Sequence, residues 1–416
     1  MMIMKRFVSS LLTLAAYGMM LTGCQKVGLK RGTSQIPDNP APPISSPQIT
    51  SDGIGGYNYD NAFDKSFAWD YGHKGIQDYI VCYRPKSKIL WVIGHNPLLN
   101  PTDFYPIYQS FNGIGTYDLL NSEDLVVPFD YEHSGKQDYF LCYRPGGHYS
   151  AVVRNNNHFP NTNQGFTTVI SNAAGIGGFD LNSQLDRLIP FDYTHSGKLD
   201  HVIAIRGWKG NGYNQVWILK NNDNGSFSPV YKALNGIDGI QFTESLNYTA
   251  LPFDYEHTGR QDYMVIYGTD NYYLNGISSY GCNLWVFRNN NNGTFTNVNH
   301  AAWAHTGAGS IDYNTTVQCS LFDFDHSGKL DHLLIYIPGP INRRVDIIKN
   351  VNGTFVNVFH SDTGIGGWDL LSGSDRIFAY DYESSGKQDY LVITRASQKN
   401  VTILKHNPDG SFVQVL

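Results

Sequence analysis

Charge is scarce in this 416-residue chain. Only 16% of its residues are Asp, Glu, Lys or Arg, and the balance is a net −6. No Lys/Arg cluster of the kind that tracks a phosphate backbone is present, which argues against a nucleic-acid partner. Cysteine is scarce as well, at five residues. Cys82 and Cys142 lie inside apolar runs at equivalent points of neighbouring repeats, too far apart to bridge, and read as buried thiols. Catalytic signatures are missing: there is no G-x-S-x-G, no H-E-x-x-H, no Gly-rich phosphate loop opening a helix, and no repeated Ser-x-Asp-x-Gly-x-Thr-Trp box. These absences point away from an enzyme, with a glycan hydrolase or lyase as the alternative.

What the chain has in quantity is Gly (42 residues), Tyr (28) and one stretch repeated six times. The stretch is clearest as FDYEHSGKQDYFLCYRPG (Phe129 to Gly146), and its first Asp recurs at Asp70, Asp130, Asp192, Asp254, Asp323 and Asp381. The intervals of 60, 62, 62, 69 and 58 residues mark a repeat architecture. Within repeat two, β-rich runs alternate with Gly, Asn and Pro clusters, giving four expected strands: Leu125–Tyr131, Tyr139–Arg144, Ser150–Arg154 and Phe166–Ser171. Turns such as NNDNGSF and NNNNGTF accept the positive φ that hairpins require. Pro128, Pro190 and Pro252 sit two residues before the repeat's Asp; lacking an N–H, they place each first strand at a sheet edge. Period, strand count and edge prolines together predict an all-β fold, a six-bladed β-propeller of four-stranded blades with the first strand innermost. Seven blades is the alternative, and no shared closing strand is evident.

The N-terminus reads as an export signal. Lys5 and Arg6 precede an apolar run, Phe7 to Leu21, that is short for a membrane span. The run ends in Leu-Thr-Gly-Cys, which resembles the lipobox of bacterial lipoproteins. That resemblance implies a signal peptide over residues 1–23, a lipidated Cys24, and outer-membrane or cell-surface placement. The Pro-rich residues 24–51 then form a tether, and the propeller occupies 52–416.

The loop between the first and second strands spans nine positions, Asp to Asp, with oxygen side chains at one, three, five and nine and Gly at six, a pattern able to wrap a hard cation. It resembles the D-x-[DN]-x-D-G-x-x-D loops of FG-GAP and VCBS repeats, found in integrin α-chain propellers and some lectins. The Gly-rich lead-in (GIGGY at Gly53, GIGTY at Gly113, GIGGF at Gly175, GIGGW at Gly364) is the second shared element. The resemblance implies weak calcium sites: Asp323, Asp325, Ser327 and Asp331 first; then Asp130, Glu132, Ser134 and Asp138; Asp254, Glu256, Thr258 and Asp262; and Asp381, Glu383, Ser385 and Asp389. The loops depart from the family in carrying Ser or Thr at position five, and Lys74 there in the first loop. Without a metal, the end carboxylates would hold the turn by accepting backbone N–H bonds. Position four is His73, His133, His195, His257 or His326, expected as a turn residue at positive φ rather than a ligand.

The expected function is a surface-tethered binding propeller, a lectin or adhesin, with glycans or a surface protein as partner and a protein–protein scaffold as the alternative. An aromatic face with a few polar groups suits a pyranose. The lead-ins offer that pairing at Tyr117 with Asp118, Phe179 with Asp180, and Trp368 with Asp369. The competing reading packs these rings between blades.

Overall fold

The structure is a computed structural model. It describes residues 53–96, 103–156, 165–206, 215–234, 236–240, 248–274, 277–304, 317–340, 343–396 and 398–416. The expected signal peptide, Cys24 and tether lie outside the described residues.

Six four-stranded antiparallel sheets follow one another along the chain, each built from consecutive strands. Blade 1 is β1 (Lys65–Trp69), β2 (Tyr79–Arg84), β3 (Ile89–His95) and β4 (Phe104–Ser110). Blade 2 is β5 (Leu125–Phe129), β6 (Tyr139–Arg144), β7 (Tyr149–Asn155) and β8 (Phe166–Asn172). Blade 3 is β9 (Asp186–Phe191), β10 (His201–Arg206), β11 (Gln215–Asn221) and β12 (Phe227–Ala233). Blade 4 is β13 (Thr249–Phe253), β14 (Tyr263–Leu274), β15 (Ile277–Asn289) and β16 (Phe295–Ala304). Blade 5 is β17 (Gln318–Phe322), β18 (His332–Ile337), β19 (Arg344–Val351) and β20 (Thr354–Ser361). Blade 6 is β21 (Asp375–Tyr380), β22 (Tyr390–Arg395), β23 (Asn400–His406) and β24 (Phe412–Gln414). The described residues contain no helix. The first strand of blade 2 stops at Phe129, two residues short of the expected Tyr131, because Asp130 already turns the chain into its loop.

The first strand of every blade is a sheet edge, so Pro128, Pro190 and Pro252 withhold no ladder bond. Inner strands of neighbouring blades adjoin, β5 with β9, β9 with β13, β17 with β21 and β21 with β1. Their outward N–H groups find side-chain partners: Val126 N donates to Tyr83 Oη at 3.3 Å and Ile377 N to Tyr336 Oη at 2.9 Å. A buried backbone donor is costly to leave unpaired, and these tyrosines on the preceding blade supply the acceptor.

The core lies between blades rather than within one. Six buried clusters each join a neighbouring pair, and the one holding Ile54, Ile80 and Cys82 with Tyr390, Val392 and Ile403 closes blade 1 on blade 6. Because both faces of a blade are covered, central strands such as YFLCYR and HLLIYI are apolar on both sides instead of alternating. The outer strand of blade 2, β8, alternates half-buried and exposed positions. Closure uses no shared strand. Gly53 N donates to Lys399 O at 3.0 Å, and Tyr380 Oη donates to Asp78 O at 2.9 Å. Cys82 and Cys142 are free, buried thiols.

Candidate functional site

The nine-residue loop is a hydrogen-bonded turn in all six copies. The first Asp accepts the backbone N–H of position five on Oδ1 and of position six on Oδ2, as in Ser134 to Asp130 at 2.8 Å and Gly135 to Asp130 at 2.7 Å. Ser134, Ser196, Thr258, Ser327 and Ser385 add a hydroxyl bond to the same Oδ1 at 3.2 to 3.4 Å. Burial pushes these carboxyls up, and the backbone N–H bonds pull part of the way back.

Position four turns at φ between 53° and 58° for the five histidines, and at 52° for Ser384 in loop six. The imidazoles also have a partner that the sequence did not reveal, the ninth-position Asp of the next blade. His73 Nδ1 donates to Asp138, His133 to Asp200, His195 to Asp262, His257 to Asp331 and His326 to Asp389, all at 2.6 to 2.7 Å. At the closing seam Ser384 takes the place of His and hydrogen-bonds Asp78. The histidines therefore form a belt of blade-to-blade links. A second belt runs beside it: Asn155, Asn221, Asn289 and Asn350, at or near the ends of third strands, donate to the carbonyls of Tyr71, Tyr131, Tyr193 and Tyr255 on the preceding blade.

These bonds decide how the loops suit a metal. A hard cation such as calcium needs about six to eight oxygens converging on one point. Here Asp130, Asp254, Asp323 and Asp381 spend both oxygens on backbone donors. Glu132, Glu256 and Glu383 accept the hydroxyls of Tyr139, Tyr263 and Tyr390, while Asp138, Asp262 and Asp389 face the histidine of another blade. Only loop five gathers several donors, with Asp325, Asp331 and His332 atoms within 4.8 Å of one another. There Lys349 Nζ already stands 2.9 Å from Asp325 and 3.8 Å from Asp331. Burial raises the Asp325 carboxyl, but the Lys349 ammonium outweighs it and holds the group well below the usual range. An ammonium fills the place a cation would take, and the loops do not fit calcium.

The lead-ins are interblade wedges. A Cβ on Gly113 would lie 2.1 Å from Tyr117 O, so the tight turn between Ile114 and Tyr117 requires Gly. Tyr117, Phe179 and Trp368 are 0%, 1% and 4% exposed, packed in interblade clusters. No open ring face is left for a pyranose. The cause is a set of arginines at the end of the second strand. Arg144, Arg206 and Arg395 stack over the three rings at 5.7, 4.7 and 4.8 Å from the centroids and chelate the buried Asp124, Asp186 and Asp375. The same guanidiniums also bond Asp118, Asp180 and Asp369. Burial raises Asp118 and Asp180, yet their arginine bonds win and hold both carboxyls below the ordinary range. Arg84 repeats the arrangement on Asp64 and Tyr57.

An open site lies where blades 3 and 4 meet. A cavity of about 350 Å³ is lined by His195 of loop three with Glu256, Arg260, Asp262, Tyr263, Arg288 and Asn289 to Asn291 of blade 4. Tyr263 Oη donates to Glu256 at 2.6 Å, and burial followed by that bond raises the phenol well above its usual range. Arg260 Nη1 donates to His195 O at 3.3 Å, and Arg288 Nε to Asn290 Oδ1 at 3.3 Å. At the flanking seams the outer imidazole nitrogen meets protein: His133 Nε2 lies 2.6 Å from Asp223 and His257 Nε2 2.7 Å from Asn350 O. His195 Nε2, like His326 Nε2, is buried and has no hydrogen-bond partner among the described residues. The site can therefore offer guanidinium and amide donors with carboxylate and amide acceptors. Of its lining, the sequence had singled out Glu256 and Asp262 for a metal, and His195 and the turn beginning at Asn289 for local geometry alone.

No family model and no curated protein matches the chain, so the FG-GAP and VCBS likeness rests on the motifs alone. Among solved structures, a putative 6-phosphogluconolactonase from Bacteroides fragilis is similar at 12% identity over 81% of this chain and 80% of its own, with a TM-score of 0.41. A hypothetical selenium-binding protein from Sulfolobus tokodaii matches at 11% identity over 86% and 80%, TM-score 0.43. The periplasmic gluconolactonase of Pseudomonas aeruginosa matches at 8% identity over 84% and 94%, TM-score 0.40. Likeness this distant carries nothing about substrate. It does correct one expectation: structures named as lactonases, which are enzymes, stand among those similar to this chain, so missing sequence signatures do not make it a non-enzyme.

Proposed function

We propose that this six-bladed propeller is a carbohydrate-binding protein, a lectin or adhesin tethered to a bacterial outer membrane through Cys24, and that the seam between blades 3 and 4 is its saccharide site. The observation that carries the reading is the cavity of about 350 Å³, whose wall mixes Arg260, Arg288, Asn290 and Asn291 with Glu256. Sugar hydroxyls are each donor and acceptor, and a site of this size with fixed groups of both kinds holds a mono- or disaccharide by orientation. The tether reading rests on the Leu-Thr-Gly-Cys motif and the Pro-rich segment that follows it. A glycan array with free-sugar competition tests the reading. Saccharide binding that competes with free sugar and falls at least tenfold in Arg288→Ala is expected. Binding to no glycan, or binding unchanged in that variant, overturns it.

A further inference from the structure

The ends of the ring differ in charge. Each inner strand runs from its lead-in toward its nine-residue loop, so the opening residues of the six inner strands ring the lead-in end of the central channel. The belts and the seam cavity described above lie at the other end. Pairing with the second strands fixes the level: Lys65 stands opposite Tyr83, Leu125 opposite Tyr143, Arg187 opposite Ile205, Thr249 opposite Tyr267, Gln318 opposite Tyr336 and Arg376 opposite Thr394. Successive side chains along a strand alternate in direction, and these six residues share a direction and a level. None of the six is fully buried, whereas the next residues Val126, Leu188, Ala250 and Ile377 are.

Three of the six are cations. Arg187 Nη1 donates to Gln184 O at 2.9 Å and Asp186 O at 2.8 Å, and Arg376 Nη1 to Gly373 O at 3.0 Å and Asp375 O at 2.7 Å. Backbone carbonyls thus fix both guanidiniums through one nitrogen each. Lys65 makes no hydrogen bond or ion pair among the described residues. Burial, then the neighbouring Arg376, then Arg187 more weakly, lower its ammonium, and Glu123 is the one acid that opposes them. One level down the channel stand Phe67, Val127, Ile189, Leu251, Ser320 and Phe378, an almost wholly apolar floor. Half-buried Lys65 and Arg187 and the more exposed Arg376 stand against the single Glu123 carboxylate and repel one another, at a cost that an anion seated among them removes.

We infer that the lead-in mouth of the central channel is an anion-binding site, in which Lys65, Arg187 and Arg376 receive the carboxylate or phosphate of a small molecule whose less polar part rests on the Phe67 and Phe378 layer. The two fixed guanidiniums supply directional donors and Lys65 a point charge, a division suited to a multi-oxygen anion. The site is separate from the seam cavity and stands or falls without it.

Calorimetric titration of the full chain with inorganic phosphate, galacturonate and galactose tests the site, alongside Lys65→Met and the double variant Arg187→Gln/Arg376→Gln. Phosphate or galacturonate is expected to bind the wild type and neutral galactose to leave this site untouched. A response to phosphate alone would identify phosphate as the anion, and one to galacturonate alone a sugar carboxylate. Each variant should weaken the anion at least tenfold, while its anion-free melting temperature holds or rises because repulsion has been removed. If neither anion binds the wild type, or either binds both variants undiminished, the inference is overturned. Should the double variant melt early, Lys65→Met alone decides, since Lys65 has no protein partner to lose.

Discussion

His406 breaks the second belt, and the break makes the seam between blades 5 and 6 sensitive to acid. Four blades place Asn at this point, with its amide donating to a carbonyl of the preceding blade. Blade 6 places an imidazole there, stacked 4.0 Å from Phe324 and 5.0 Å from His326. Burial first, then the nearby His326 and His332, lower its pKa from 6.5 to about 4, against weaker opposing effects of Asp409 and the Phe324 backbone. Since the folded state disfavours the proton, the stability this neutral group contributes is fully present above 6.5 and is lost as pH falls from there to about 4. The gap, at about 1.36 kcal/mol per unit, sets an upper bound of about 3 kcal/mol on that loss. His406→Asn restores the residue of blades 2 to 5 and removes the titration. Urea unfolding of both proteins at pH 7, 5.5 and 4 should show the wild type losing up to about 3 kcal/mol more than the variant over that range. Parallel losses would refute the reasoning, because every other titrating group is common to both.

Three further outcomes follow from the same geometry. Trp368→Ala should cost about 3–5 kcal/mol in chemical denaturation, as expected for a large buried ring, where a solvent-facing sugar platform would cost almost nothing. Ser384→His should stabilise the closing seam by about 1 kcal/mol, read as a higher melting temperature, since Ser384 already holds the φ of 52° that the five histidines share; a fall would show that the histidine belt is not what ties blades together. Asp323→Ala should destabilise by about 2–4 kcal/mol through two orphaned backbone N–H groups, equally in millimolar calcium and in chelator. A calcium-dependent melting temperature in the wild type would mean that Lys349 yields its place to metal.

The architecture was legible because it depends on local chemistry repeated six times: strand-forming runs, turn residues that accept positive φ, and prolines that only an edge strand tolerates. The histidines were placed correctly as turn residues, but their partners were not found. His133 and Asp200 are separated by 67 residues, one repeat plus five, and a pairing that skips to the next blade leaves no trace within a single repeat. The lead-in aromatics were chosen as a sugar platform because ring and Asp stand side by side; burial by the following arginine was unseen. A signal was available. Arg84, Arg144, Arg206 and Arg395 occur in the four repeats that carry Asp64, Asp124, Asp186 and Asp375, while Gly268 and Ile337 stand at that point in repeats four and five. Arg and Asp are kept or lost together within one chain. The seam cavity had no such signal, since its wall comes from two repeats and from positions where loops three and four scarcely differ from the rest.

Hydrogen–deuterium exchange with the tightest saccharide from the array measures directly where the ligand sits. The account predicts slowed exchange at residues 256–263 and 288–291, on the seam of blades 3 and 4, with the lead-ins at 113–118, 175–180 and 364–369 unchanged. Protection confined to those lead-ins would contradict it and return the saccharide to Tyr117, Phe179 and Trp368.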